Sequence, residues 1–128
     1  MGKYLIDTHV IIWFYEGDNK LPKKIRTFLE EENEKIQVSM ISLWEISIKI
    51  SIGKLKLKEN TSTIFNNCKK YWNIKNDLTS KELQIYENLP FYHRDPFDRM
   101  LIAQAKNENM IIITKDSNFS KYNIEIMW

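Results

Sequence analysis

Five carboxylates in this chain stand where they could do chemistry. Asp7 closes the run Tyr4-Leu5-Ile6-Asp7, and Asp116 closes Ile111-Ile112-Ile113-Thr114-Lys115-Asp116. Glu45 lies within Leu43-Trp44-Glu45-Ile46, and Asp95 and Asp98 share His93-Arg94-Asp95-Pro96-Phe97-Asp98-Arg99. Hard divalent cations such as Mg2+ and Mn2+ are held by oxygens drawn from distant parts of a chain. Carboxylates that converge without a cation repel one another and resist ionisation. A cation removes that penalty, and such a site suits hydrolysis of a phosphodiester, because the metal activates a water and stabilises charge on the phosphate oxygens.

Each acid also has an ordinary structural reading. Asp7-Thr8 fits the start of a helix, with Thr8 as a cap. Glu45 could pair with Lys49 four residues on. Asp98 suits the third position of a helix, where the dipole favours an acid, and Arg94 or Arg99 could pair with it. Asp95 before Pro96 reads best as a helix cap. Asp116-Ser117-Asn118 has the composition of a turn. Taken one at a time, the acids do not decide between these readings.

The elements that must position them follow from the apolar pattern. Residues 3–7 and 110–114 are short apolar runs that read as buried strands, and 35–39 alternates like another. Helices are expected over 10–15, ending near Gly17, and over 22–32, opened by Pro22. Further helices are expected over 61–72, 79–89 and 96–108. Residues 73–77 read as a possible edge strand, 118–120 as a turn and 124–128 as a last strand. The stretch 46–57 is ambiguous: its near-perfect alternation predicts a strand or hairpin turning at Gly53-Lys54, while Ile41, Trp44, Ile48 and Ile52 also form a helical stripe. Strands alternating with helices predict an α/β domain with a mostly parallel sheet. Ligand sites in such sheets lie at the carboxyl ends of the strands, where Asp7 and Asp116 both fall.

Composition narrows the chemistry. At 128 residues, 43% of them hydrophobic, the chain fits one domain with a real core. No apolar run approaches the roughly 18 residues of a membrane span, and Met1-Gly2-Lys3 shows no signal-peptide architecture, so a cytoplasmic location is expected. One cysteine and two histidines leave no His/Cys zinc site, so a metal here must rely on oxygen ligands. The net charge of +2 is compatible with a nucleic-acid partner but does not argue for one. Gly2, Gly17 and Gly53 are isolated, so there is no glycine-rich phosphate loop, and no Gly-x-Ser-x-Gly elbow is present. A phosphoryl-aspartate enzyme would want a second acid two residues after Asp7, where His9 stands.

The segment Tyr4-Leu5-Ile6-Asp7-Thr8-His9, the run from Ile41 through Glu45 to Leu55, the run from His93 to Ala105, and Thr114-Lys115-Asp116 followed by Phe119 carry a family likeness. Over essentially its whole length the chain resembles the PIN-domain ribonucleases, in particular the VapC-type toxins of bacterial toxin–antitoxin pairs. The terminal Trp128 also fits. The resemblance implies a three-layer α/β/α fold in one domain, and a helix over 41–52 despite the alternation. It implies Asp98 rather than Asp95 as the third acid, with Glu45 facing the site. The family's catalytic, metal-coordinating acids would fall on Asp7, Glu45, Asp98 and Asp116, with Mg2+ or Mn2+ as cofactor. It further implies endoribonuclease activity, a cognate antitoxin on a separate chain, and a homodimer.

Around the acids, Thr8 could orient a water or a substrate phosphate, or simply cap its helix. His93, Arg94 and Arg99 could hold RNA phosphates, although Arg99 could equally pair with an acid. Trp13, Trp44 and Tyr92 could stack on bases, with core packing the preferred reading. Two other functions fit the same residues: an RNA-processing nuclease without an antitoxin, and a non-catalytic acidic module that binds a basic peptide.

Overall fold

A computed structural model describes residues 3–128. Five short strands form one sheet: β1 (Tyr4–Ile6), β2 (Ile36–Ser39), β3 (Asn73–Lys75), β4 (Ile111–Ile113) and β5 (Ile126–Met127). Their order across the sheet is β3-β2-β1-β4-β5, and every pairing is parallel. Six helices flank it: α1 (Thr8–Glu16), α2 (Lys23–Glu31), α3 (Met40–Ser51), α4 (Thr61–Tyr71), α5 (Ser80–Glu87) and α6 (Pro96–Glu108).

The pleat sorts the strand residues into two cores. Ile6, Ile36, Val38 and Ile113 face one side, against α1 to α4; Leu5 and Ile112 face the other, against α6 and the segment after β4. Successive strand side chains point to opposite faces, so three residues of β1 or β4 suffice to feed both cores. The result is the expected three-layer α/β/α arrangement.

The alternating stretch is helical as far as Ser51, and its remainder, 52–57, forms neither helix nor strand. Ser39 caps α3, its Oγ accepting the Ile41 N–H at 3.1 Å, and the helix ends before Gly53 at φ 75°. Alternation misleads here because α3 is packed from two sides. Leu43 and Ile46 enter the first core while Ile41 packs against the second, so apolar residues occupy most of its circumference. The C-terminal region also differs from expectation. The turn after Asp116 is a 3-10 helix, Ser117–Tyr122, that buries Phe119 and Tyr122, and the last strand is only the two residues of β5.

The edge strand is secured by charge. Lys75 is buried, and its Nζ meets Asp77 at 2.9 Å, Glu82 at 2.8 Å and Glu108 at 2.6 Å, tying β3 to α5 and α6. Burial alone would lower the Lys75 ammonium, but the three carboxylates outweigh it and hold it above the usual lysine range. Glu82 also closes a capping box with Thr79 at the start of α5.

Candidate active site

The register of β1 against β4 places Ile6 beside Ile113, so the residues that follow meet at the carboxyl edge of the sheet. Asp7 N–H donates to the Ile113 carbonyl at 3.0 Å, and Thr114 Oγ1 donates to Asp7 Oδ2 at 2.9 Å. Asp7 is 4% exposed, and its other oxygen, Oδ1, is buried with no hydrogen-bond partner. Glu45, on α3, repeats the pattern: Lys49 Nζ lies 3.0 Å from Oε2, while Oε1 is buried without a partner. Each acid is therefore held by one oxygen and leaves the other unsatisfied, which is costly unless a cation or donor meets it.

Asp98 stands in the first turn of α6. Burial, then the charges of Asp7, Asp95, Glu45 and Asp116, push its carboxyl up to about 8. Asp7 is raised as well, chiefly by burial and further by Glu45, against the lowering influence of His9 and Thr114. Asp116 goes the other way. Burial would raise it, but the hydrogen bonds from His93 and the Asn118 N–H outweigh that and hold it below the usual carboxylate range.

Asp7, Asp98 and Asp116 line an open cleft of about 430 Å3, with His9, Trp13, Lys20 and Lys115 on its walls. A larger cavity, about 680 Å3, opens near Lys3, Lys106 and Glu125 at the opposite ends of β1 and β4. Its one acid, Glu125, is exposed, so nothing there sets up charge chemistry.

The oxygen-only donor set and the two unpartnered buried oxygens suit a hard divalent cation. Among the described residues no three acids or histidines already enclose a single point. Lys49 on Glu45 and His93 on Asp116 occupy oxygens that a closed ligand set would use. An ion here would take few protein ligands and keep waters in its other positions, the habit of Mg2+.

Several expectations about individual residues change. Thr8 does not cap its helix. It is the first helical residue, 1% exposed, and its Oγ1 donates to Ser42 Oγ at 2.9 Å, so it ties α1 to α3. Arg99 is 2% exposed and pairs with no acid. Its guanidinium donates to the carbonyls of Pro90 (2.8 Å), Tyr86 (3.2 Å) and Leu89 (3.4 Å), too deep to hold a phosphate. His93 is turned inward, with both ring nitrogens engaged by Tyr122 and Asp116. Arg94 is exposed. Trp44 and Tyr92 are 59% and 52% exposed, against the core reading, whereas half-buried Trp13 both packs on the core and lines the cleft. Asp95 is the expected cap: its Oδ1 accepts the N–H groups of Phe97 (2.8 Å) and Asp98 (3.0 Å).

Asp95→Ala is accordingly expected to cost about 1 kcal/mol of stability and to leave Mn2+ affinity within about threefold. Urea unfolding and calorimetric titration would measure the two. A loss of Mn2+ affinity as large as that of Asp98→Asn would place Asp95 among the ligands instead.

The residues that sequence reasoning left without a role are Thr114, Lys20, Lys115 and Tyr122. Thr114 had a signal: once β1 and β4 are read as neighbouring parallel strands, the residue after Ile113 must face the residue after Ile6. Lys20 and Tyr122 had none, because a turn brings in the first and the short 3-10 helix after Asp116 the second.

The fold and the site define an α/β protein with a parallel sheet, whose carboxyl edge opens on a cleft lined by Asp7, Asp98, Asp116 and two lysines; Glu45 is buried on α3 and is not among the residues lining it. The PIN domain family model matches residues 4–125, and the chain belongs to that family, whose members are nucleases. Among solved structures, it is similar to DNA-bound VapBC from Salmonella typhimurium at 18% identity and TM-score 0.76, covering 99% of this chain and 98% of that one. Similarity extends to VapBC2 from Rickettsia felis bound to a promoter DNA fragment (19% identity, TM-score 0.70, 97% and 96% covered). It also extends to a toxin–antitoxin complex from Klebsiella pneumoniae (15% identity, TM-score 0.70, 98% and 97% covered). No curated protein matches the chain in sequence.

Proposed function

We propose that residues 1–128 form one PIN domain that cleaves RNA as a metal-dependent endoribonuclease, the toxin of a toxin–antitoxin pair in the cytoplasm. The observation that carries this is the pair of buried, unpartnered carboxylate oxygens on Asp7 and Glu45, beside an Asp98 carboxyl pushed up to about 8. A group of acids this poorly solvated is costly in the folded protein unless a cation joins it.

In this reading Asp7, Glu45 and Asp98 hold Mg2+ or Mn2+, and Asp116 completes the acidic rim. The bound ion would supply an activated water and charge stabilisation at the phosphate. Thr114 and Lys49 keep Asp7 and Glu45 turned so that one oxygen of each stays available. Lys20 and Lys115, which line the cleft, would receive RNA phosphates, with Trp13 as an aromatic wall, and exposed Arg94 would be a further phosphate contact.

The toxin role is supported by the similarity to VapBC structures and to a toxin–antitoxin complex. A cognate antitoxin is the corresponding partner here. A homodimer is supported by the apolar stripe of Met40, Trp44, Ile48 and Ile52 along α3, three of whose side chains are exposed at 39%, 59% and 58% for Met40, Trp44 and Ile52.

The test is cleavage of structured and unstructured RNAs by the purified chain, with Mg2+ or with EDTA, beside Asp7→Asn. Cleavage is expected only with the metal, and at least a hundredfold slower in the variant, the order of a lost interaction worth several kcal/mol. Cleavage that survives both EDTA and Asp7→Asn would refute the metal site.

A further inference from the structure

Asp116 is built differently from the other acids of the site. Asp7 and Glu45 each keep one oxygen uncommitted, but both Asp116 oxygens are engaged: Oδ1 accepts the Asn118 N–H at 2.9 Å and Oδ2 lies 2.8 Å from His93 Nε2. The histidine is itself held from behind. Tyr122, 3% exposed, accepts the His93 backbone N–H at 2.6 Å and sits 3.1 Å from His93 Nδ1.

These contacts fix the histidine tautomer. A phenol oxygen that accepts one N–H still has its own proton to donate. Because the Asp116 carboxylate can only accept, Nδ1 is the acceptor nitrogen of the neutral ring and takes that proton. Nε2 carries the ring proton and donates it to Asp116. Phe119 packs edge-on against the imidazole at 4.8 Å and limits its rotation. The loop that brings His93 in is in turn anchored by Arg99, which donates to its Pro90 carbonyl at 2.8 Å.

We propose that Asp116 serves the site without binding the metal directly, and that His93, preset by Tyr122 as an Nε2–H donor, is the residue that positions it. This rests on the metal-dependent nuclease reading above. With a hydrogen bond already on each oxygen, Asp116 has less to offer a cation than Asp7 or Glu45, which each keep one buried oxygen wholly free. Held rigidly at the cleft mouth, it is a fixed hydrogen-bond acceptor for water or substrate. Hydrogen bonds that orient such groups commonly change activity ten- to a hundredfold, roughly, when removed.

The experiment compares Asp116→Asn, His93→Ala and His93→Gln with the unchanged chain and with Asp7→Asn. Mn2+ affinity is measured by calorimetry, and kcat and KM on RNA are measured separately. Mn2+ affinity is expected to stay within about threefold in Asp116→Asn and His93→Ala, while Asp7→Asn loses more than about tenfold. In the same two variants kcat falls about tenfold or more with KM little changed. His93→Gln recovers part of the loss, because its amide N–H can reach Asp116. A loss of Mn2+ affinity in Asp116→Asn equal to that of Asp7→Asn overturns the proposal, as does a His93→Ala chain with unaltered kcat.

A third readout is independent of metal and activity. The 15N spectrum of the neutral His93 imidazole should show the Nε2–H tautomer, and should lose that preference in Tyr122→Phe. An Nδ1–H tautomer in the unchanged chain would sink the arrangement. Failure of Asp7→Asn to alter Mn2+ binding would instead strike the metal-site reading, and the tautomer would still decide the role of Tyr122 and His93.

Discussion

Asp98→Asn should lower RNA cleavage by roughly three orders of magnitude, the value of several kcal/mol of lost transition-state charge stabilisation, and should also make the metal-free protein more stable. The second half follows from the electrostatics of the cleft. Burial and the charges of Asp7, Asp95, Glu45 and Asp116 push the Asp98 carboxyl from 3.8 to about 8. Between those values the folded protein holds a proton that the unfolded chain has released. Stability contributed by this group therefore falls as pH rises from about 4 to about 8, and is level above that. Asparagine carries no charge to desolvate or repel. With solvent screening at a half-buried group, the gain at pH 8 should be on the order of 2 kcal/mol, or roughly 5–10 °C in Tm for a domain of this size.

Thermal melts at pH 5 and pH 8, with and without Mg2+, would measure this. The variant should exceed the unchanged protein at pH 8 without metal, the difference should shrink at pH 5, and Mg2+ should raise only the unchanged protein substantially. For the same reason Mg2+ binding should release a proton and tighten as pH approaches 8. A variant less stable than the unchanged protein at pH 8 would mean that Asp98 is an ordinary helix-start acid after all.

The second large effect is expected at a residue outside the cleft. Arg99→Ala should cost about 3–4 kcal/mol, because it removes a buried guanidinium and leaves three carbonyls, the buried one of Leu89 among them, without their donor. The guanidinium lies 4.9 Å from the Tyr86 ring and 4.1 Å from the Phe91 ring, and donates to the carbonyls of Tyr86, Leu89 and Pro90. It closes the C-terminal end of α5 with a cation, where the helix dipole favours one. Arg99→Lys should recover only part of the loss, since an ammonium has no planar fork to reach both ends of the loop or stack between two rings. Urea denaturation would show a lower midpoint at unchanged slope. Under conditions where Arg99→Lys is folded, KM for RNA should change less than about twofold, whereas a lost phosphate contact would raise it. A cost of less than about 1 kcal/mol would remove Arg99 from this structural role.

How much of this was legible in the residues depends on the kind of interaction. The strands at 4–6 and 111–113, the helix opened by Asp95-Pro96 and the parallel α/β class all follow from local patterns, and local patterns were enough for them. The stretch 46–57 misled because periodicity reports only one buried side, and α3 is covered on two. Periodicity left the stretch open between strand and helix, and the family resemblance pointed to the helix. Thr8 and Arg99 were placed near the acids by sequence adjacency, yet a helix turns successive side chains about 100° apart. Asp98 therefore faces the cleft while its neighbour Arg99 faces α5.

By itself the sequence determined which groups were available: oxygen ligands and no zinc set, acids at the ends of two apolar strands, and a cap at Asp95 distinct from the acid at Asp98. Those are properties of residue type and short-range spacing, governed by local sterics and burial. Only the tertiary structure decided which oxygen of each acid is free, that Lys49 and Thr114 hold the others, and that Tyr122 and His93 commit Asp116. Hydrogen bonds reach about 3 Å and depend on angle. Partners 107 residues apart in the chain, as Asp7 and Thr114 are, come within that range only when strand register and helix packing have been set.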